Sequence, residues 1–141
     1  MQKLEVTIDV IVHATEDKSK FFGIFKEIFG LDEQEFSSSH VNGHFDNPIT
    51  IISLKIAKKP AIQFLGKFLV LLTEAQKNTI IQEIEERTSD STLHIRLDKQ
   101  EFIQGRIAFK EKDPIKIKIQ TPIYNKKDTL KVFSEIFRKV N

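Results

Sequence analysis

The sequence has no cysteine and no tryptophan, one methionine and one tyrosine, and only four prolines and five glycines among its 141 residues. Without cysteine there is no disulfide framework, no thiolate nucleophile and no zinc site built on paired cysteines. A reducing compartment suits such a chain. Long apolar runs are missing too: the longest, Ala61 to Leu72, contains Gln63 and Lys67 and is too short to cross a bilayer. It reads as a core helix, apolar nearly all round and therefore buried. The opening MQKLEVTIDVIVH alternates apolar and polar residues from Leu4 onward, unlike the unbroken apolar core of a secretion signal. A cytoplasmic location without a membrane partner is expected. No phosphate-binding loop with its lysine occurs, and Ser37, Ser38 and Ser39 lack the glycines of a nucleophile elbow. Glu83, Glu85 and Glu86 fall on the polar face of a helix, where a solvated surface is the reading rather than an acid and base pair. No enzyme class is indicated.

What is present is an ordinary globular mixture, 40% hydrophobic and 30% charged, of a length that suits one domain over residues 1–141 around one core. The net charge of +2 hides an asymmetry. Residues 1–91 carry ten basic and fourteen acidic groups, whereas residues 92–141 carry twelve and six. The last third is therefore basic, as a phosphate-attracting segment or a lysine-rich solvated surface would be.

Leu4, Val6, Ile8, Val10 and Val12 repeat every second residue and predict a half-buried strand ending near His13. Thr15 is placed to cap a following helix, with Glu16 and Asp17 in its first turn, Phe21, Phe22, Phe25, Ile28 and Phe29 on its apolar stripe, and Gly30 as its stop. Phe36 to Val41 and Ile49 to Ile56 read as strands joined through a tight turn at Asn42-Gly43. Pro60 starts the apolar helix, and Thr73 with Gln76 forms a capping box for a polar helix through Arg87. After a turn at Ser89 to Ser91, Leu93, Ile95 and Leu97 form another strand, followed by a short helix or turn over Lys99 to Gly105. Ile107 to Phe109 and Ile115 to Ile119 suggest a hairpin. Leu130, Phe133, Ile136, Phe137 and Val140 make a final amphipathic helix. This order predicts an α+β fold, a mostly antiparallel sheet with helices packed on one face and the other face open.

That open face would display Lys55, His94, Arg96, Lys116 and Lys118 among Glu5, Asp9 and Asp98, a mixture that cross-strand ion pairs also explain. A second basic group, Lys99, Arg106, Lys110, Lys112, Lys126 and Lys127, falls in turns and at element ends, where long side chains can meet a phosphate backbone. The twelve phenylalanines fall mostly at core spacings, so base stacking on exposed rings is not supported and any nucleic-acid contact would be mainly electrostatic and shape-based. His40 and His44 are four apart, but Asn42-Gly43 between them breaks a helix. A metal site from His13, His44 and Asp46 lacks ligands at fixed spacing on rigid elements, and no metal or other cofactor is expected.

Three stretches carry a family resemblance: His13-Ala14-Thr15-Glu16-Asp17, Gly43-His44-Phe45-Asp46-Asn47-Pro48-Ile49 and Arg96-Leu97-Asp98-Lys99-Gln100-Glu101-Phe102-Ile103-Gln104-Gly105. In order and spacing the sequence resembles the archaeal family described as predicted RNA-binding or exosome-subunit proteins. The resemblance implies a fold similar to that of the ribosomal protein that holds the small RNA of the large subunit, with a curved sheet. It implies RNA as partner, held through its backbone, and association with the protein subunits of an RNA-processing assembly. No catalytic residue comes with it. The motif positions transferred are His13, Thr15, Gly43, His44, Asn47, Pro48, Arg96, Asp98, Lys99 and Gln100. Asp98 would cap the short helix, leaving Arg96 and Lys99 free for phosphate. The alternative function is a protein-interaction subunit without direct RNA contact.

Overall fold

The computed structural model describes residues 3–138. Its elements are β1 (Glu5–His13), α1 (Lys18–Phe29), β2 (Ser37–Asn42), β3 (Pro48–Ala57), α2 (Lys58–Leu71), α3 (Glu74–Gln82), α4 (Ile84–Arg87), β4 (Thr88–Ser89), β5 (Thr92–Leu97), α5 (Lys99–Ile103), β6 (Ile115–Gln120) and α6 (Thr129–Arg138). Val140, expected on the stripe of the last helix, lies outside the described residues. The strands form a six-stranded sheet in the order β2-β3-β1-β6-β5-β4. β2 runs antiparallel to β3, with Ser37 opposite Ser53 and Asn42 opposite Pro48, and β4 runs antiparallel to β5. The expected α+β class, with a mostly antiparallel sheet, is what forms.

Internal contacts divide the chain into two compact units. The first holds the described residues of Met1–Val6, Ile56–Ile95 and Lys118–Asn141, and the second holds Thr7–Lys55 and Arg96–Ile117. In the second, Ile8, Val10 and Val12 of β1 and Ile52 and Leu54 of β3 are buried, while Thr7, Asp9 and Ser53 between them are half-buried. Period-two burial of this kind leaves one sheet face polar. The apolar face is closed by α1 and α5, whose Phe25 and Phe102 rings lie 4.9 Å apart. In the first unit α6 packs on α3 and α4, burying Phe133, Ile136 and Phe137 with Ile80 and Ile84.

Local chemistry places most boundaries. Gly30 ends α1 in the left-handed conformation at φ 68°, its N–H donating back to Lys26 and Phe25 carbonyls, which a side chain would make unfavourable. Thr73 and Gln76 close the expected capping box on α3, and Asp98 caps α5 by accepting from the Gln100 and Glu101 amides. The cap of α1 differs from expectation. Asp17, not Thr15, receives the Ser19 N–H at 3.0 Å and the Ser19 hydroxyl at 2.6 Å. Thr15 is left exposed, two residues before the cap.

Other expectations are corrected by geometry. Ile107 to Phe109 forms no strand; it contributes one isolated bridge, Leu97 to Phe109, with the Asp98 amide donating to Ala108 and the Lys110 amide to Arg96. The helix expected through Arg87 breaks at Glu83, whose backbone leaves the helical region, so α3 and α4 are separate. α2 begins at Lys58, two residues before Pro60, and is not buried all round: Val70 is 72% exposed. The turn after Ser89 is a two-residue hairpin with both Asp90 and Ser91 at positive φ, the backbone twist that tight hairpins demand, and it creates the unforeseen strand β4.

Candidate nucleic-acid interface

The first and third motifs converge on a single ammonium. Lys99 opens α5, one residue after its cap, and its side chain turns inward until the residue is 5% exposed. Its Nζ donates to the Ile11 carbonyl, to Glu16 Oε1 at 3.0 Å and to Asp113 Oδ1 at 3.1 Å. Glu16 Oε1 also accepts the His13 amide at 2.9 Å, and His13 Nε2 lies 3.0 Å from Asp113 Oδ1. A buried cation needs partners of this kind, because desolvation otherwise penalises the charged form. The expectation that Lys99 is free for phosphate is therefore corrected: its three donor directions are spent inside the protein.

His13, Glu16 and Asp113 bring their ligand atoms within 4.8 Å of one another, an arrangement of the size a divalent ion takes. The Lys99 ammonium already bonds two of the three carboxylate and imidazole groups, so a lysine supplies the positive charge. His13 is thus grouped with Glu16 and Asp113, not with His44 and Asp46. Partial burial pushes the Asp113 carboxyl up, but the hydrogen bonds and charges of His13 and Lys99 outweigh it and hold the group below its ordinary 3.8. A carboxylate lowered on folding contributes stability that is full above 3.8 and is lost as pH falls through the folded value. Thermal unfolding of Asp113→Asn followed from pH 6 to about pH 2 should give a flatter stability profile than the parent below about pH 4. Parallel profiles would remove Asp113 from the acid response.

The remaining basic candidates sort by partner. Arg106 is held by Glu101 through two bonds of 3.1 and 2.8 Å, and Arg96 lies 3.9 Å from Glu111. Lys110, Lys112 and Lys116 in the second unit, and Lys126 and Lys127 in the first, are exposed and make no ion pair with a described residue. Lys118 is half-buried on β6. The backbone bond from Lys110 to Arg96 sets those two cations side by side, and the Asp113 anchor fixes the far end of the loop carrying Lys112. Exposed lysines are held here on a tethered segment instead of a free loop.

The second motif shapes a hairpin tip. The Gly43 amide donates to the Asn47 carbonyl at 2.7 Å and the Asp46 amide to the Gly43 carbonyl at 3.0 Å, with Asp46 at φ 60°. The left-handed residue is thus Asp46, not Asn42 or Gly43. A Cβ at position 43 would sit 2.6 Å from Asn47 Oδ1 and 2.7 Å from Ile49 Cδ1, so a larger residue there would make these two side chains shift. Pro48 opens β3 where its missing N–H is harmless. His44 meets Phe45 edge to face at 4.7 Å, and Phe45 is 86% exposed. Two aromatic rings, Phe45 and Tyr124, stand outside the core, while most phenylalanines are buried as their spacing predicts. Their spacing gave no signal, since a single aromatic in a polar loop has no period.

The fold and its surface define the class: an α+β module with exposed lysines that make no ion pair with a described residue. The chain belongs to the family described as RNA binding, whose match spans residues 5–121. A Pyrococcus abyssi protein named as an RNA-binding protein is 28% identical over 131 residues, covering 88% of this chain and 85% of the relative. A Methanocaldococcus jannaschii protein is 28% identical over 137 residues, covering 89% and 91%. Among solved structures, a DUF54 protein of Archaeglobus fulgidus superposes with a TM-score of 0.79 at 27% identity, over 95% of this chain and 99% of that one. A Sulfolobus solfataricus DUF54 protein gives 0.76 at 26% identity, over 93% and 97%. Among the described residues no helix is long and apolar enough to cross a membrane.

Proposed function

We propose that the chain is a non-enzymatic accessory protein that holds RNA through its phosphate backbone, acting as one domain over residues 1–141 within an RNA-processing, exosome-like assembly in the cytoplasm. The observation that carries this reading is the segment Lys110 to Lys116, whose three exposed lysines have no acidic partner among the described residues while Lys99 and Arg106 nearby are neutralised. Unpaired cations on an ordered segment release counterions when they meet phosphates, the main source of sequence-independent affinity. Lys118, Lys126 and Lys127 extend the same chemistry, and Arg96 joins them because a pair at 3.9 Å on the surface is worth little.

Retention of single-stranded and structured RNA should be measured from low to moderate salt. The parent is expected to bind at low salt with affinity falling steeply as salt rises. Replacing Lys110, Lys112 and Lys116 together by alanine should weaken binding about equally for all RNA sequences and reduce the salt slope by about 2 to 3. No retention of parent at low salt would overturn the reading. A second reading, a subunit that docks on another protein, is favoured by one observation: β2 lies at the sheet edge with all six residues exposed, and an edge strand can accept another strand. Partners recovered after nuclease treatment would favour it, and partners lost on that treatment would favour RNA.

A further inference from the structure

Within the first unit, one side chain stands out against the chemistry of its surroundings. Tyr124 is 89% exposed, between a β-strand and a helix, and is the sole tyrosine of a chain without tryptophan. A ring left in water on an ordered segment presents a flat face on which a base can stack. The segment is ordered: the Thr121 amide donates to the Ser91 carbonyl at 3.3 Å, and Asn125 Oδ1 accepts the Lys127 amide at 3.1 Å to cap a short 3-10 turn over Lys126–Asp128. Tyr124 is thus displayed between two fixed points.

Two open grooves of the same unit meet there, sharing Asp90, Ser91 and Ile123. One, about 550 Å³, is lined by Tyr124 with Lys3 and Lys58. The other, about 610 Å³, is lined by Lys126 and Lys127. Two lysines therefore share a groove with the ring and two more line the adjoining groove, against three carboxylates in the two linings, those of Glu5, Glu85 and Asp90. So small an excess of positive charge attracts a duplex weakly. A flat aromatic with cations on either side instead suits one unpaired base stacked on the ring, its flanking phosphates reaching the lysines. Phe45, the other exposed ring, lacks this setting: it is already paired edge to face with His44, and the only charged residue in its turn is Asp46.

We propose that Tyr124 is a stacking platform for an unpaired base of single-stranded RNA, with Lys126 and Lys127 on one side and Lys3 and Lys58 on the other holding the neighbouring phosphates. This rests on the RNA-binding reading and names the part of RNA that the first unit takes. Stacking tolerates any base, so the site selects single strands over duplexes rather than one sequence over another.

The test uses the full chain and a short uridine-rich RNA carrying 2-aminopurine at its centre, whose emission is quenched when the base stacks. With parent protein at low salt, emission is expected to fall several-fold at saturation. Tyr124→Ala should abolish most of that quench and weaken binding about tenfold, in line with one lost stacked base. Tyr124→Phe should retain both, and Phe45→Ala should change neither. The Lys126→Ala and Lys127→Ala pair should weaken binding while keeping the quench at saturation. Because Tyr124 is almost fully exposed, equal melting temperatures confirm that its variants fold. Full quench and undiminished affinity in Tyr124→Ala would overturn the proposal while leaving RNA binding standing, and quench transferred to loss by Phe45→Ala would overturn it in favour of the hairpin tip. Absence of any RNA binding by parent protein overturns both readings.

Discussion

Lys99→Met is expected to lower stability by about 3 kcal/mol, a fall of about 10 °C in melting temperature. Methionine keeps the length and apolar stem of lysine, so packing around α5 changes little. What is lost is the charge that Glu16 and Asp113 share. Glu16 is 19% exposed at its side chain and Asp113 43%, so Glu16 bears most of the cost of an uncompensated carboxylate and Asp113 turns to water. Adding Glu16→Gln should recover part of the loss, a coupling that a double-mutant cycle reads directly. RNA retention measured well below the melting temperature should fall less than in the Lys110, Lys112 and Lys116 variant, since Lys99 offers no free donor to phosphate. Thermal unfolding that leaves Lys99→Met as stable as parent would show that the ammonium contributes no net stability.

Phe102→Ala should cost more, about 4 kcal/mol. The ring is fully buried at the centre of an aromatic cluster, 4.9 Å from Phe25 and 6.3 Å from Phe29, and it is the main anchor by which five-residue α5 docks on α1. Truncation removes a whole ring that its neighbours cannot refill, because Phe25 and Phe29 are fixed on a helix capped at both ends. Urea unfolding should show the midpoint shifted strongly with little change in slope, as expected when native packing alone is altered. A loss under about 1 kcal/mol would mean that the cluster collapses around the cavity. Since α5 begins with Lys99, both substitutions probe one structure, the short helix that joins the third motif to the first.

That juncture explains what the three motifs do. His13, Glu16 and Lys99 close the fold, Gly43 and Asn47 close a hairpin tip, and Asp98 caps a helix. Of the motif residues, His13, Glu16, Gly43, Asn47, Asp98 and Lys99 are occupied by structure, and the exposed lysines lie outside the motifs. Sequence pattern alone ranked Lys99 with Lys110 and Lys112, because a lysine at a helix start and a lysine in a turn look alike until their surroundings are known.

Short-range chemistry was readable in the chain by itself. Gly30, the Thr73 and Gln76 box and Asp98 act on backbone groups within four residues, so their effect needs no knowledge of the rest of the molecule. The two-residue repeats of β1, β3, β5 and β6 likewise declare which side chains enter the core. The absence of cysteine excluded thiol and paired-cysteine zinc chemistry outright. Tertiary structure alone decided the fate of each charge and each ring. Lys99 meets Glu16 across 83 residues and is buried, Lys112 pairs with no carboxylate among the described residues and stays in water, and Tyr124 stands exposed where Phe102 is enclosed. The physical reason is that desolvation and ion pairing depend on neighbours brought together by the fold, while caps and strand repeats depend on neighbours already joined by the chain.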